Sequence, residues 1–424
     1  MGLLGARREG RWRHPPWVDI RPHTIPSCTS CGNGGCVMTT VTAGQSTDAR
    51  IGKRGSKVER LRFDDRGRVD IRCFDRAGVE AFVSEQCDCG ADRGRAVYQW
   101  LWQKGATRFD QMDGVHRRIQ RRLNEVAYIS ELATDMVLRS KDGTVKYLWA
   151  LEDGHTIESV LIPDGHRLTL CVSSQVGCAM ACTFCLTGDL GLKRHLKASE
   201  IALQPLQVQR DLPEGTRITN LVLMGMGEPL HNLDNLVLAL SNCLDDHAMK
   251  FSHRRVTVST VGLVPRMNEL AHALPVNLAV SLNATTEAQR RQIMPITKRH
   301  SMEELLQACR DFPLPPGKRI TFEYVMLRDF NDQLEDAERL IGLLEGIPAK
   351  VNLIPYNENP ARDLRRPSEA TVKAFQHRLV SAGLAAHVRT TRGTDISAAC
   401  GQLGKAKQQA REAGWETAGA PAAE

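Results

Sequence analysis

Residues 171–185 read CVSSQVGCAMACTFC, the end of an apolar strand running into a group of thiols. Cys178, Cys182 and Cys185 stand at the spacing C-x₃-C-x₂-C. Thiolates gathered so closely in sequence hold a soft metal or an iron–sulfur cluster. A cubane cluster has four irons, so three thiolates leave one iron open to a small molecule. That count points to chemistry rather than scaffolding. Two blander readings fit the same run: ordinary buried cysteines, or a zinc site whose fourth ligand lies elsewhere.

Outward from this run, short apolar strands alternate with helical segments. Strands are expected at 168–174, 218–224, 254–260, 276–282, 319–327, 350–355 and 385–390. Near-continuous apolar strands separated by helices are the mark of parallel β/α units, so the expected fold is α/β, a full or partial (β/α) barrel. In such barrels chemistry gathers at the C-terminal strand ends. The second strand ends in Met224-Gly225-Met226-Gly227-Glu228-Pro229. Two glycines there let the backbone approach a ligand, and the Glu228 carboxylate can receive an ammonium group. The third strand ends at Ser259, the fourth at Ser281-Leu282-Asn283, and Asn357 closes the sixth. Each could cap a helix; together they line one rim with groups suited to a polar nucleoside.

Upstream, residues 56–155 read as a small α+β domain. Val97–Lys104 has a helical apolar face, and Val115–Val126 continues as a helix carrying Arg117, Arg118, Arg121 and Arg122. Residues four apart share a helix face, so these arginines form a basic patch, either solvated or in contact with phosphate. Val145–Leu151 and Thr156–Ile162 read as paired strands closed at Asp153-Gly154. Residues 1–55 lack a hydrophobic period and are expected to be a disordered extension. Their Cys28, Cys31 and Cys36 form either an incomplete zinc knuckle or part of a flexible arm. Cys73, Cys87 and Cys89 have less specific spacing. Residues 156–405 form the expected core and 406–424 a flexible tail.

The 424 residues are 42% hydrophobic and 25% charged, with a formal charge of +7. No apolar run is long enough for a membrane span, and no signal-peptide core opens the chain. A cytoplasmic location is expected, where 13 cysteines serve as metal, catalytic or core thiols rather than disulfides.

These motifs resemble the radical S-adenosylmethionine (SAM) methyltransferases that act on adenine in ribosomal RNA, and among them the dual-specificity ribosomal and transfer RNA adenine C2-methyltransferases. The matching stretches are CVSSQVGCAMACTFC (171–185), NLVLMGMGEPLHNLDN (220–235), RRVTVSTVG (254–262), SLNA (281–284), FEYVML (322–327), VNLIPYN (351–357) and TRGTDISAACGQL (391–403). The resemblance implies a partial radical-SAM barrel with a small N-terminal RNA-binding domain. It implies a [4Fe–4S] cluster on Cys178, Cys182 and Cys185, with SAM on the open iron. Gly227, Glu228, Ser259, Ser281, Leu282, Asn283 and Asn357 would hold the rest of SAM. The family usually has His where Asn283 stands; a backbone contact survives that change, a ring contact does not. Cys400 resembles the cysteine that becomes S-methylated, Cys171 its resolving partner, and Glu158 a carboxylate that accepts a proton. The implied substrates are 23S rRNA at adenine 2503, in the peptidyl transferase centre, and tRNA at adenine 37. Lys193, Arg194, Arg290, Arg291, Arg365 and Arg366 are expected to extend the RNA-facing surface. A monomer served by a reducing partner such as flavodoxin, with no membrane attachment, completes the expectation. Two alternatives stay open: methylation at adenine C8, and a non-catalytic cluster or zinc protein that binds RNA.

Overall fold

The computed structural model describes residues 63–359 and 362–404. The extension 1–55 with Cys28, Cys31 and Cys36, and the tail 406–424, lie outside the described residues.

The chain first builds a helical unit. Strand β1 (Val69–Asp70) leads into α1 (Arg76–Cys87), α2 (Ala91–Trp102) and α3 (Arg117–Val126), and β2 (Ala127–Tyr128) returns parallel to β1. Helix α1 starts where the Asp75 side chain accepts the Gly78 amide, a good N-cap, and stops at Asp88 in the left-handed region. Helix α2 begins six residues before the expected Val97, and buries Val97, Tyr98, Leu101 and Trp102. Helix α3 buries only Ile119 and Leu123, which leaves its four arginines exposed.

An antiparallel meander follows: β3 (Ala133–Arg139), β4 (Val145–Ala150), β5 (Thr156–Asp164) and β6 (Arg167–Cys171). The expected boundary at residue 155 lies in the β4–β5 turn, between two strands of this same sheet. Next come β7 (Gln175–Val176), α4 (Leu186–Asp189) and β8 (Arg194–His195), with β7 and β8 forming a small ribbon. The β/α alternation then runs α5 (Ala198–Asp211), β9 (Asn220–Leu223), α6 (Leu233–Leu244), β10 (Val256–Thr260), α7 (Val264–Ala273), β11 (Asn277–Ser281), α8 (Glu287–Ile293), α9 (Met302–Asp311), β12 (Ile320–Met326), α10 (Leu334–Leu343), β13 (Ala349–Pro355), α11 (Glu369–Ser381) and β14 (Ala386–Val388). All seven expected strands are present. They pair in parallel, and the meander extends them into one ten-stranded sheet with edges at β14 and β3. The barrel is therefore partial.

The two faces of this sheet differ. Leu221, Val258, Val280, Phe322 and Val351 face the helices and are fully buried. The alternate positions face the inner side. Register places Cys171 beside Val222 and Val222 beside Thr257; farther along the sheet Ser281 stands beside Glu323, and Glu323 beside Asn352. On the meander side Cys171 stands beside Val160, and Val160 beside Lys146. The period of two then puts Glu158 and Ser259 on this face as well. The strands are thus not apolar throughout, as the sequence led one to expect. An inner face left open in a partial barrel tolerates the polar residues that a filled barrel core would reject.

The helical unit is fixed to the helices outside the barrel. Ser199 Oγ on α5 donates to Asp70 (2.6 Å), Tyr98 donates to Asn242 on α6 (2.8 Å), and Arg76 pairs with Asp245 (3.3 Å). No helix of the described residues is long and apolar enough to cross a membrane.

Candidate active site at the C-terminal strand ends

The cysteine loop is anchored by its backbone. Cys178 N donates to Gly191 O (3.2 Å), Thr183 N to Ile293 O (3.0 Å) and Cys185 N to Cys182 O (3.1 Å). Gly177 lies at φ +74°, and a Cβ there would fall 1.8 Å from Gly191 O. Arg362 donates to the carbonyls of Thr183 and Cys185 and pairs with Asp189. Cys182 is buried; Cys178 and Cys185 are half-buried. Burial pushes the Cys178 thiol up to about 12, with the charges of Glu228 and Cys185 adding to it. Burial likewise raises Cys182, reinforced by Cys185, Cys178 and Glu228 and relieved by Arg290. The three thiols and Glu228 thus share one electrostatic neighbourhood. Among the described residues no three His, Cys, Asp or Glu side chains converge on one point that could hold a single metal ion. In a cubane each thiolate takes a different iron, so its ligands need not converge on one point.

The turn after β9 packs against the segment after β6. Met226 N donates to Ser173 Oγ (2.8 Å) and Glu228 N to Gln175 Oε1 (2.8 Å). A Cβ on Gly225 would lie 2.7 Å from Ser173 Oγ, and one on Gly227 2.6 Å from Gln175 Cβ. Lacking Cβ atoms, both glycines let the segment after β6 pack closely against this turn. Glu228 is buried, and its carboxylate accepts the amides of Leu230 (3.1 Å) and Val261 (2.9 Å). Burial raises its pKa to about 7 against these hydrogen bonds. Among the described residues no Lys, Arg or His forms an ion pair with it. A buried carboxyl and the two raised thiols, Cys178 and Cys182, favour a bound positive centre, which would ionise them. The donor set and this electrostatics fit a cluster with an ammonium-bearing ligand beside it.

The segment carrying Cys400 joins this loop to the meander. Leu186 N donates to Gly401 O (2.8 Å) and Thr187 Oγ1 to Leu403 O (2.9 Å). Gly401, at φ +83°, lets the segment pass Phe184 O, 3.1 Å from where a Cβ would stand. On the other side Gly404 N donates to Glu158 Oε1 (2.8 Å), and Lys146 Nζ donates to Ser397 O (3.1 Å) while lying 3.4 Å from Glu158 Oε2. Cys400 is accessible yet enclosed by protein, and this enclosure, followed by the charge of Glu323, raises its thiol pKa. Cys171 is buried, and burial followed by the charge of Cys400 raises its thiol pKa; both cysteines are free.

The remaining predicted residues divide. Ser259 and Ser281 face the inner side, whereas Leu282 is fully buried and its amide donates to Glu323 O (3.1 Å). Asn283 is turned into the protein: at φ +59°, its Oδ1 accepts Val325 N (2.8 Å) and its amide donates to Met294 Sδ (3.3 Å). Its side chain braces β12 rather than the rim. Asn357 donates to Cys400 O (3.1 Å) and accepts from Thr391 (3.0 Å), so it holds the Cys400 segment.

The basic surface is smaller than expected. Arg290 is fully buried and donates to the carbonyls of Val261, Ser281 and Leu282. Arg194 is engaged by Glu200 and Asp153. Arg366 donates to Pro355 O and Thr391. Lys193, Arg291 and Arg365 are exposed. The sequence reading missed Lys146, Glu323 and Arg362, and it set the buried Arg290 on the surface. For Lys146 and Glu323 a signal existed, a lone charge inside the apolar strands VKYLWA and ITFEYVM. Arg290 and Arg362 lie in polar stretches that carry no such mark.

A family model described as the radical SAM superfamily matches residues 172–341. Another, described as the ribosomal RNA large subunit methyltransferase N-terminal domain, matches residues 69–129. The chain is 49% identical over 341 residues to the dual-specificity RNA methyltransferase RlmN 2 of Myxococcus xanthus, covering 79% of this chain and 90% of that relative. It is 51% identical over 337 residues to the dual-specificity RNA methyltransferase RlmN of Geobacter sulfurreducens, covering 79% and 92%. Among solved structures, a radical SAM methyltransferase from Sphaerobacter thermophilus is similar at TM-score 0.74 and 38% identity, over 79% of this chain and 98% of that one.

Proposed function

Because this chain belongs to the RlmN family of dual-specificity RNA methyltransferases, and is a radical SAM enzyme acting on RNA, we propose that it methylates carbon 2 of adenine with Cys400 as carrier of the methyl group. The proposed substrates are adenine 2503 of 23S rRNA and adenine 37 of tRNA. One observation carries this reading: the Cys400 segment is bonded to the cysteine loop on one side and to Glu158 on the other, and the charge of Cys400 is felt at the buried Cys171 thiol.

Carbon 2 of adenine lies between two ring nitrogens and is electron-poor, so it does not attack a methyl cation. Its methylation calls for carbon-radical chemistry, which a [4Fe–4S] cluster on Cys178, Cys182 and Cys185 supplies together with SAM when both are bound. Glu228 would receive the SAM ammonium group beside the cluster loop. Gly227, Ser259, Ser281 and Leu282 would border the rest, Asn283 through its backbone alone, and Asn357 through the segment it holds. Cys400 would present the methyl carbon to the base; that carbon gives up one hydrogen atom to the radical chemistry the bound cofactors would supply and bonds to carbon 2, joining protein to RNA, and the leftover unpaired electron passes to the same redox system. Glu158 takes the proton from carbon 2. Cys171 attacks the Cys400 sulfur, forming an S–S bond as the S–C bond breaks. The electron pair of that bond stays with the methyl carbon, which takes up a proton, and a reductant then restores both thiols.

The helical unit with α3 is proposed as the RNA-docking part, since a base must leave its stack to reach the strand ends. The cytoplasm, where thiols stay reduced, is the proposed location, with a flavodoxin-type donor and a monomeric enzyme. Anaerobic assay of the reconstituted protein on 23S rRNA and tRNA transcripts tests this reading. Digestion and isomer-resolved mass spectrometry should give 2-methyladenosine from both; 8-methyladenosine alone would overturn the C2 assignment.

A further inference from the structure

We propose that Lys146 is a positioning residue for this reaction, holding the Glu158 carboxylate and the Cys400 segment in one fixed arrangement. The inference rests on the reading that Cys400 carries the methyl group and Glu158 takes the proton.

Lys146 and Glu158 are each about fully buried, at 1% exposure, and stand on the inner face of β4 and β5. Burying an ammonium in a strand is costly unless it is paired and hydrogen-bonded, and an apolar residue of similar length would pack there without that cost. Both requirements are met by groups of the site. The Lys146 Nζ lies 3.4 Å from Glu158 Oε2 and 3.1 Å from Ser397 O. Glu158 Oε1 in turn accepts the Gly404 amide at 2.8 Å. The two ends of this chain of contacts, Ser397 and Gly404, bracket Cys400 in sequence. Register adds a third element: Lys146 stands beside Val160, and Val160 beside Cys171. One ammonium thus fixes the relation of the proton acceptor to the carrier, on the face that also holds the resolving thiol.

A carboxylate that is to accept a proton inside a protein must carry its charge beforehand, and a buried charge needs a counter-ion. Lys146 provides it. When Glu158 takes the proton the ion pair is discharged, and Lys146 keeps its bond to Ser397 O. The expected consequence of its loss is specific to one stage. The methyl group should still reach Cys400 and join the base, but release should fail, because the proton acceptor has lost its place.

The test uses full-length reconstituted enzyme with an rRNA substrate under single-turnover conditions. Protein–RNA adduct is resolved on denaturing gels, and Cys400 methylation is followed by peptide mass spectrometry. Lys146→Met should methylate Cys400 at the wild-type level, release product about a hundredfold more slowly, as misplaced catalytic groups do, and accumulate adduct. Lys146→Arg should restore release. Should Lys146→Met not fold, Lys146→Gln removes the charge while retaining a donor to Ser397 O and carries the same expectation. Wild-type release rates in the neutral variants, or slow turnover without adduct, would overturn the proposal. Cys171→Ala serves as reference: if it traps no adduct, the reading of Cys171 and Cys400 fails instead, whatever Lys146 does.

Discussion

Gly177 carries the strictest demand on a single position. Its φ of +74° and the Gly191 carbonyl in the place of a Cβ leave no room for any other residue. Gly177→Ala should cost about 2 kcal/mol or more, since it combines left-handed strain with a backbone clash. Thermal unfolding would read this as a lowered midpoint, with weaker cluster retention, because Cys178 is the next residue. Other positions show how far single residues were legible in sequence. The cysteine spacing and the Gly-Glu-Pro turn identified their loops, since ligand spacing is local. The role of Asn283 was not legible: whether its amide faces the rim or Val325 depends on a strand more than forty residues away. Arg290 and Arg194 read as surface charges, because nothing in sequence reveals the carbonyls and carboxylates that surround them.

Among the elements, α3 and the β3–β4 turn act in contrasting ways. Helix α3 buries two residues and exposes Arg117, Arg118 and Arg121, with Arg122 held to Glu125 and Gln86. Replacing the first three by Gln should weaken RNA binding and lower the slope of log affinity against log salt by up to about three, near one for each phosphate left without its cation. Filter binding at several salt concentrations measures both. An unchanged slope would place the RNA elsewhere. The β3–β4 turn binds the Cys400 segment through two carboxylates. Burial raises the Asp142 pKa, but the amides of Gly393 and Thr144 outweigh it and hold it below its ordinary 3.8. The Ser140 hydroxyl and then the Lys141 amide lower Asp395. Groups whose folded pKa is depressed contribute stability above the unfolded value and lose it as pH falls through the folded one. The segment 393–404 should therefore loosen below about pH 3.8. Hydrogen exchange in this segment should rise there before the sheet opens, and Asp142→Asn should bring the loosening to neutral pH.

At the level of the whole molecule, the alternation of strands and helices was readable because each β/α unit carries its own period. The division into parts was not. Residue 155 separates two composition patterns, yet β4 and β5 pair on both sides of it. The helical unit likewise contributes partners that α5 and α6 need. A chain beginning at residue 130 would strip Asp70 from Ser199, Tyr98 and Phe74 O from Asn242, and Arg76 from Asp245. It should be poorly soluble and lack cooperative unfolding, where the full chain has both.

The ten-stranded sheet has two edges, β14 and β3, which do not pair with each other. The segment leaving β14 is bonded to the turn between β3 and β4, through Gly393 to Asp142 and Asp395 to Ser140. Cys400 therefore rides on a clasp across the barrel's seam. Any sideways breathing of the barrel must move Cys400 too, so gaping of the scaffold and displacement of the sulfur proposed to carry the methyl group are a single mechanical coordinate.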